Sequence, residues 1–168
     1  MTTPPPGRPL LFLDVDGPLI PFGAGARAGD GAPVPDGENP LLGRLDPTAG
    51  PRLLALGCEL VWATTWGDEA NETIAPRIGL PRLPVLEWPK GPAHGVPRGV
   101  HAKTPHVVAR AAGRPFVWVD DEITDLDRLW VEGRHPGRSL LHRVAPETGL
   151  TAADFAVLDA WLDAARPR

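Results

Sequence analysis

Leu10-Leu11-Phe12-Leu13 is an unbroken apolar run that stops abruptly at Asp14-Val15-Asp16-Gly17-Pro18-Leu19. A run apolar at every position, rather than at alternate ones, suits a strand buried on both faces, as in a parallel sheet. Pro115-Phe116-Val117-Trp118-Val119 repeats the pattern and ends in Asp120-Asp121. Glu59-Leu60-Val61-Trp62-Ala63-Thr64 predicts another strand, closed by Thr65-Trp66-Gly67, and Ser139 to Val144 predicts a last one. Leu83-Pro84-Val85-Leu86-Glu87 reads as a short peripheral strand, since its prolines cannot donate to a ladder.

Between the strands the period lengthens. Asp46-Pro47 is a helix start, with proline at the first helical position, and the helix should run to about Leu56 with Leu53, Leu54 and Leu56 inward. Asp68 is expected to cap a helix from Glu69 to about Ile78 that Gly79 ends. Thr104-Pro105 opens a helix to about Ala112, with Val107, Val108 and Ala111 on one face. In the next helix Ile123, Leu126, Leu129 and Trp130 predict the buried stripe. Thr151 and Asp154 form a capping box before the last helix, whose inner stripe is Phe155, Leu158, Trp161 and Leu162. Strands that alternate with helices predict an α/β, three-layer Rossmann-like fold, with a mainly parallel sheet and helices on both faces.

With 168 residues, 42% of them apolar, the chain suits one domain with a single core. The expected organisation is a disordered lead-in over 1–9, then a domain over 10–168 with a flap-like insert at about 17–45. Of the 19 glycines and 22 prolines, nine fall in the flap between Pro21 and Pro40 and six in a second loop from Trp88 to His101. The lead-in has no basic segment before an apolar one, so it is not expected to be a signal peptide. No apolar run reaches membrane-spanning length. A net charge of −4 gives no support to a broad nucleic-acid-binding surface. The single cysteine, Cys58, precludes an intrachain disulfide. It reads as a buried structural thiol and suits a reducing, cytoplasmic setting.

Parallel strands bring their carboxyl ends to one edge, where ligands bind in such sheets. At that edge the chain offers Asp14, Asp16, Thr64, Lys103, Asp120, Asp121 and Asp125. Lys90 and Lys103 are the two lysines among 17 basic residues, so a lysine at a helix start beside the edge stands out. Asp14, Asp16 and Asp121 would repel one another unless a cation sat among them, and hard oxygen ligands favour Mg2+. A hydroxyl and an ammonium at the same edge suit the oxygens of a phosphoryl group. Singly, each feature has a plainer explanation: a turn with capping acids, a strand-end hydroxyl, a solvated lysine. Trp62, Trp118, Trp130 and Trp161 fall on core positions, and Trp66 and Trp88 lie in loops near the proposed site, where they could stack on a substrate. His94, His101 and His106 have no zinc spacing and read as surface residues, and Asp127 as a solvent-facing helix residue.

The ordered set resembles the haloacid dehalogenase (HAD) superfamily of phosphohydrolases, in a small capless form similar to actinobacterial members. Asp14-Val15-Asp16-Gly17-Pro18-Leu19 matches the first motif, Thr64 at its strand end the second, Lys103 the third and Asp120-Asp121-Glu122-Ile123-Thr124-Asp125 the acidic fourth. Pro18 departs from the usual Thr or Val, and Thr65 competes with Thr64, which is preferred because it directly ends the apolar run. The resemblance implies Asp14 as nucleophile forming an aspartyl-phosphate and Asp16 as general acid and base. It also implies Mg2+ held by Asp14, the backbone carbonyl of Asp16, and Asp121. Lys103 and Thr64 would contact phosphoryl oxygens, with Asp120 and Asp125 orienting Lys103 and metal-bound water. The implied substrate is a phosphorylated small molecule or a macromolecular end, either a nucleic-acid terminus or a phosphoprotein. Alternatives are an inactive phosphate-binding module on the same fold, or a receiver-like phosphoacceptor. The order of motifs disfavours the receiver, in which the acidic pair comes first.

Overall fold

The computed structural model describes residues 7–26, 31, 33–91 and 94–167. Residues 1–6 of the expected lead-in over 1–9, and 27–30 and 32 of the expected flap, lie outside the described residues. Four strands, β1 (Leu10–Leu13), β2 (Glu59–Trp62), β3 (Phe116–Asp120) and β4 (Ser139–Arg143), form one sheet in the order β2-β1-β3-β4. All three pairings are parallel.

The unbroken apolar runs have the expected cause. Because side chains alternate across a strand, Leu11, Leu13, Leu60, Trp62, Val117 and Val119 fill one face of the sheet. Leu10, Phe12, Val61, Phe116 and Trp118 fill the other. Helices α1 (Ala49–Ala55), α2 (Ala75–Ile78) and α5 (Ala152–Ala165) cover the first face. Helices α3 (Thr104–Ala111) and α4 (Asp125–Glu132) cover the second, so the fold is the three-layer α/β arrangement that the pattern predicts. No helix among the described residues is long and apolar enough to cross a membrane.

Four local readings need correction. Leu83–Glu87 is no strand but a single bridge from Trp62 to Val85, because Pro84 lacks an N–H and only its carbonyl joins, accepting from Trp62 at 2.9 Å. Leu54 is 48% exposed, being a helical step of about 100° from buried Leu53. The expected helix over 69–78 begins as a π-turn, Ala70–Ile74, in front of Pro76, and Asp68 bonds the Asn71 side chain instead of capping it. In α4 the buried residues are Asp127 and Val131, in phase with Ile123 before the helix, while Leu126 and Leu129 are exposed.

The chain leaves β1 for β2 on one side, then crosses β1 to reach β3 on the other. That reversal opens a crevice at the carboxyl ends of β1 and β3. Register sets its contents: Leu13 pairs with Val119, so Asp14 and Asp120 emerge side by side. Gly17 keeps the next turn close. Its φ of +96° suits glycine, and a Cβ there would stand 2.7 Å from the Asp121 carboxyl carbon. The flap's root is tied to the body by bonds from Leu150 to the Pro18 carbonyl and from Arg44 to the Pro21 carbonyl.

Candidate active site

Asp14 follows the last residue of β1, and its N–H donates to the Val119 carbonyl at 3.1 Å. Its Oδ1 accepts from the Val15 N–H at 2.9 Å and lies 3.2 Å from Lys103 Nζ. Both contacts fall on Oδ1, so Oδ2 has no protein partner among the described residues. Lys103, in the residue before α3, reaches across the crevice and donates to Asp120 Oδ2 at 2.7 Å. Its ammonium is also 5.6 Å from the centre of the Trp88 ring. Asp120 Oδ1 accepts from the Glu122 N–H at 3.0 Å, which fixes the second oxygen of that carboxylate.

Asp14, Asp120 and Asp121 are all buried, and they offer oxygens within 4.8 Å of one another. One ammonium pairs with two of the three carboxylates, Asp14 and Asp120. Burial pushes the Asp14 carboxyl up to about 7, with Asp120 adding to it against the pull of Lys103. Burial and Asp120 push Asp121 up to about 6. Lys103 is itself raised: burial disfavours its charge, but Asp14 and Asp120 outweigh that. An excess of buried negative charge on hard oxygens fits a divalent cation of the magnesium kind.

Asp16 is half-buried and its carboxylate is aimed elsewhere: Oδ2 accepts from the Trp66 indole N–H at 3.1 Å. That geometry leaves the Asp16 backbone carbonyl as its expected ligand atom. Thr64 is buried and Thr65 exposed. The Thr64 hydroxyl oxygen accepts the Trp66 backbone N–H at 3.2 Å, and its own proton has no protein acceptor among the described residues. Trp66 also walls a cavity of about 540 Å3 together with Leu42, Glu69 and Pro76.

Asp125, expected to orient Lys103, does not reach it. Its side chain is 95% exposed and pairs with Arg128 on the same helix. The buried acid is Asp127, expected to face solvent. Its Oδ1 accepts from the His101 N–H at 2.7 Å and the Thr104 hydroxyl at 2.7 Å. Its Oδ2 accepts from the Thr124 N–H and hydroxyl, both at 2.9 Å. One carboxylate thus pins the start of α3, just after Lys103, to the start of α4. The signal was present in Thr124-x-x-Asp127, a capping box at the start of α4.

His101, expected on the surface, is half-buried and joins the frame. Its Nδ1 accepts the Lys103 N–H at 3.0 Å, so in the neutral ring Nε2 carries the proton that faces Glu122 at 2.9 Å. Its ring edge packs on Trp118 with centres 5.8 Å apart. Cys58, expected to be buried, is half-buried, and burial pushes its thiol up to about 11.

A family model described as the HAD domain in Swiss Army Knife RNA repair proteins matches residues 10–155. No curated protein and no solved structure matches the chain.

Proposed function

The chain belongs to the HAD-domain family of Swiss Army Knife RNA repair proteins, and from that premise we propose that it is a magnesium-dependent phosphomonoesterase that works through an aspartyl-phosphate on Asp14. The observation that carries this reading is the Lys103 ammonium, 3.2 Å from Asp14 and 2.7 Å from Asp120 among buried side chains, with Oδ2 of Asp14 left unpartnered. Lys103 pulls Asp14 toward its ionised form against its burial and neutralises oxygens of an arriving phosphoryl group. The Thr64 hydroxyl donates its unused proton to one of those oxygens.

Asp14 Oδ2 attacks phosphorus as the bond from phosphorus to the leaving oxygen breaks. Asp16 gives its proton to that oxygen, and the alcohol departs. Asp16, now a carboxylate, takes a proton from a water whose oxygen attacks phosphorus. The bond to Asp14 Oδ2 breaks, phosphate leaves, and both aspartates return to their starting states. Magnesium, held by Asp14, Asp121 and the backbone carbonyl of Asp16, with Asp120 beside them, would supply the positive charge that lets a phosphate dianion approach a carboxylate.

The family description directs the substrate reading to a phosphorylated RNA end. The test is release of phosphate from para-nitrophenyl phosphate and from an oligoribonucleotide bearing a terminal phosphate, with magnesium and with chelator. Magnesium-dependent turnover that Asp14→Asn abolishes supports the reading, and a preference for the oligoribonucleotide supports the substrate. Turnover that survives Asp14→Asn refutes the nucleophile.

A further inference from the structure

Asp16 sits in a turn that cannot hold its own carboxylate. An aspartate in a turn ordinarily accepts the backbone N–H two residues on, but that residue is Pro18, which has none. The intervening N–H, from Gly17, is already given to the Ile20 carbonyl at 3.0 Å. The one side-chain hydrogen bond that the Asp16 carboxylate makes among the described residues comes from 50 positions away, the Trp66 indole N–H at 3.1 Å. Trp66 is anchored in turn. Its backbone N–H donates to the Thr64 hydroxyl at 3.2 Å, and the Gly67 N–H closes the turn on the Thr64 carbonyl at 3.2 Å.

We propose that Trp66 is the positioning residue for Asp16, its indole N–H fixing the carboxyl group that hands its proton to the leaving oxygen. This rests on the reading of Asp16 as general acid. The Thr64 turn thereby serves two tasks, with the hydroxyl toward the phosphoryl group and the indole toward the acid. A carboxylate on two rotatable bonds without that contact would divide its time among rotamers, and proton transfer needs hydrogen-bond reach. The effect falls on substrates whose leaving oxygen must be protonated, and spares those whose oxygen departs unaided.

The test is Trp66→Phe, which keeps a ring against the cavity and removes the donor. We compare kcat/KM for an alkyl phosphate, a poor leaving group, with that for para-nitrophenyl phosphate, a good one. The expected result is a loss of about tenfold or more on the alkyl ester and a clearly smaller loss on the aryl ester. Equal losses on both, or none, would overturn the proposal, since a merely structural role would not change their ratio. Solvent exchange of the Trp66 indole N–H, followed by NMR in wild type and Asp16→Ala, gives a readout free of turnover. It is expected to quicken in the variant, and an unchanged rate would also overturn the proposal. Asp14→Asn is run alongside. If it is dead while Trp66→Phe keeps the wild-type ratio, this inference alone fails. If Asp14→Asn retains activity, or wild type releases phosphate neither from these esters nor from the terminally phosphorylated oligoribonucleotide, the phosphatase reading fails and takes the inference with it.

Discussion

The Lys103 ammonium stands 2.7 Å from the Asp120 carboxylate, with 4% and 0% of the two side chains exposed. So deep a pair is fixed by mutual need: either charge alone would be stranded away from water. Lys103→Met should therefore cost about 3 kcal/mol of folding stability or more, and at least a hundredfold in kcat/KM. Urea unfolding and steady-state kinetics on one preparation check both numbers. A variant as stable as wild type would show that Asp14 and Asp120 do not need the cation.

Asp127 should behave as an acid-sensitive bolt. Burial pushes its carboxyl up, but the Thr104 hydroxyl and the N–H groups of His101 and Thr124 outweigh burial and hold it below the usual carboxylate range. A depressed carboxyl contributes stability that is present above its unfolded value, 3.8, and lost as pH falls through the folded one. Asp127→Asn should lose about 2 kcal/mol at pH 6, and its stability should change less than that of wild type as pH falls from 4 to 2. Urea unfolding across that range is the measurement.

Asp14 and Asp121 give the opposite slope. Their carboxyls are raised to about 7 and about 6, so the stability they contribute is present below 3.8 and lost as pH rises through those values. In chelator, the melting temperature should fall between pH 5 and pH 8, and by about 2–4 °C for each kcal/mol lost at this chain length. Magnesium, by binding the ionised carboxylates, should abolish most of that fall. Thermal melts at the two pH values, with and without magnesium, decide it.

Asp125→Ala should be nearly silent, within about 0.5 kcal/mol of wild-type stability and within twofold of its kcat/KM, because the side chain is 95% exposed and its one ion-pair partner among the described residues is Arg128. A large loss of activity would return Asp125 to the role that the sequence motif suggested.

That contrast between Asp125 and Asp127 marks where the sequence was legible. Unbroken apolar runs named β1 and β3 and put Asp14 and Asp120-Asp121 at one edge, because a run buried on both faces leaves little doubt about where the strand stops. Lys103 was visible for its rarity and its place before a helix. In α4, Leu126 and Leu129 suggested the inner face by hydrophobicity, but the helix buries Asp127 and Val131 in phase with Ile123, since Asp127 finds four donors there. A carboxylate that satisfied is cheap to bury, and no hydrophobic count registers it. The contact of Trp66 with Asp16 was equally silent, because 50 residues separate the partners and only the β2-β1 neighbourhood brings their loops together. Leu83–Glu87 failed for a local reason already present in Pro84.

The central claim is a covalent phosphoryl group on Asp14, and the most direct measurement is to trap it. Enzyme turning over a phosphomonoester with magnesium is quenched into borohydride, which reduces an acyl phosphate, and the peptide containing residue 14 is read by mass spectrometry. The account predicts homoserine at position 14, formed only when substrate and magnesium are both present, with Asp16 unmodified. An enzyme that turns over under the same conditions and yields unmodified Asp14 would contradict it.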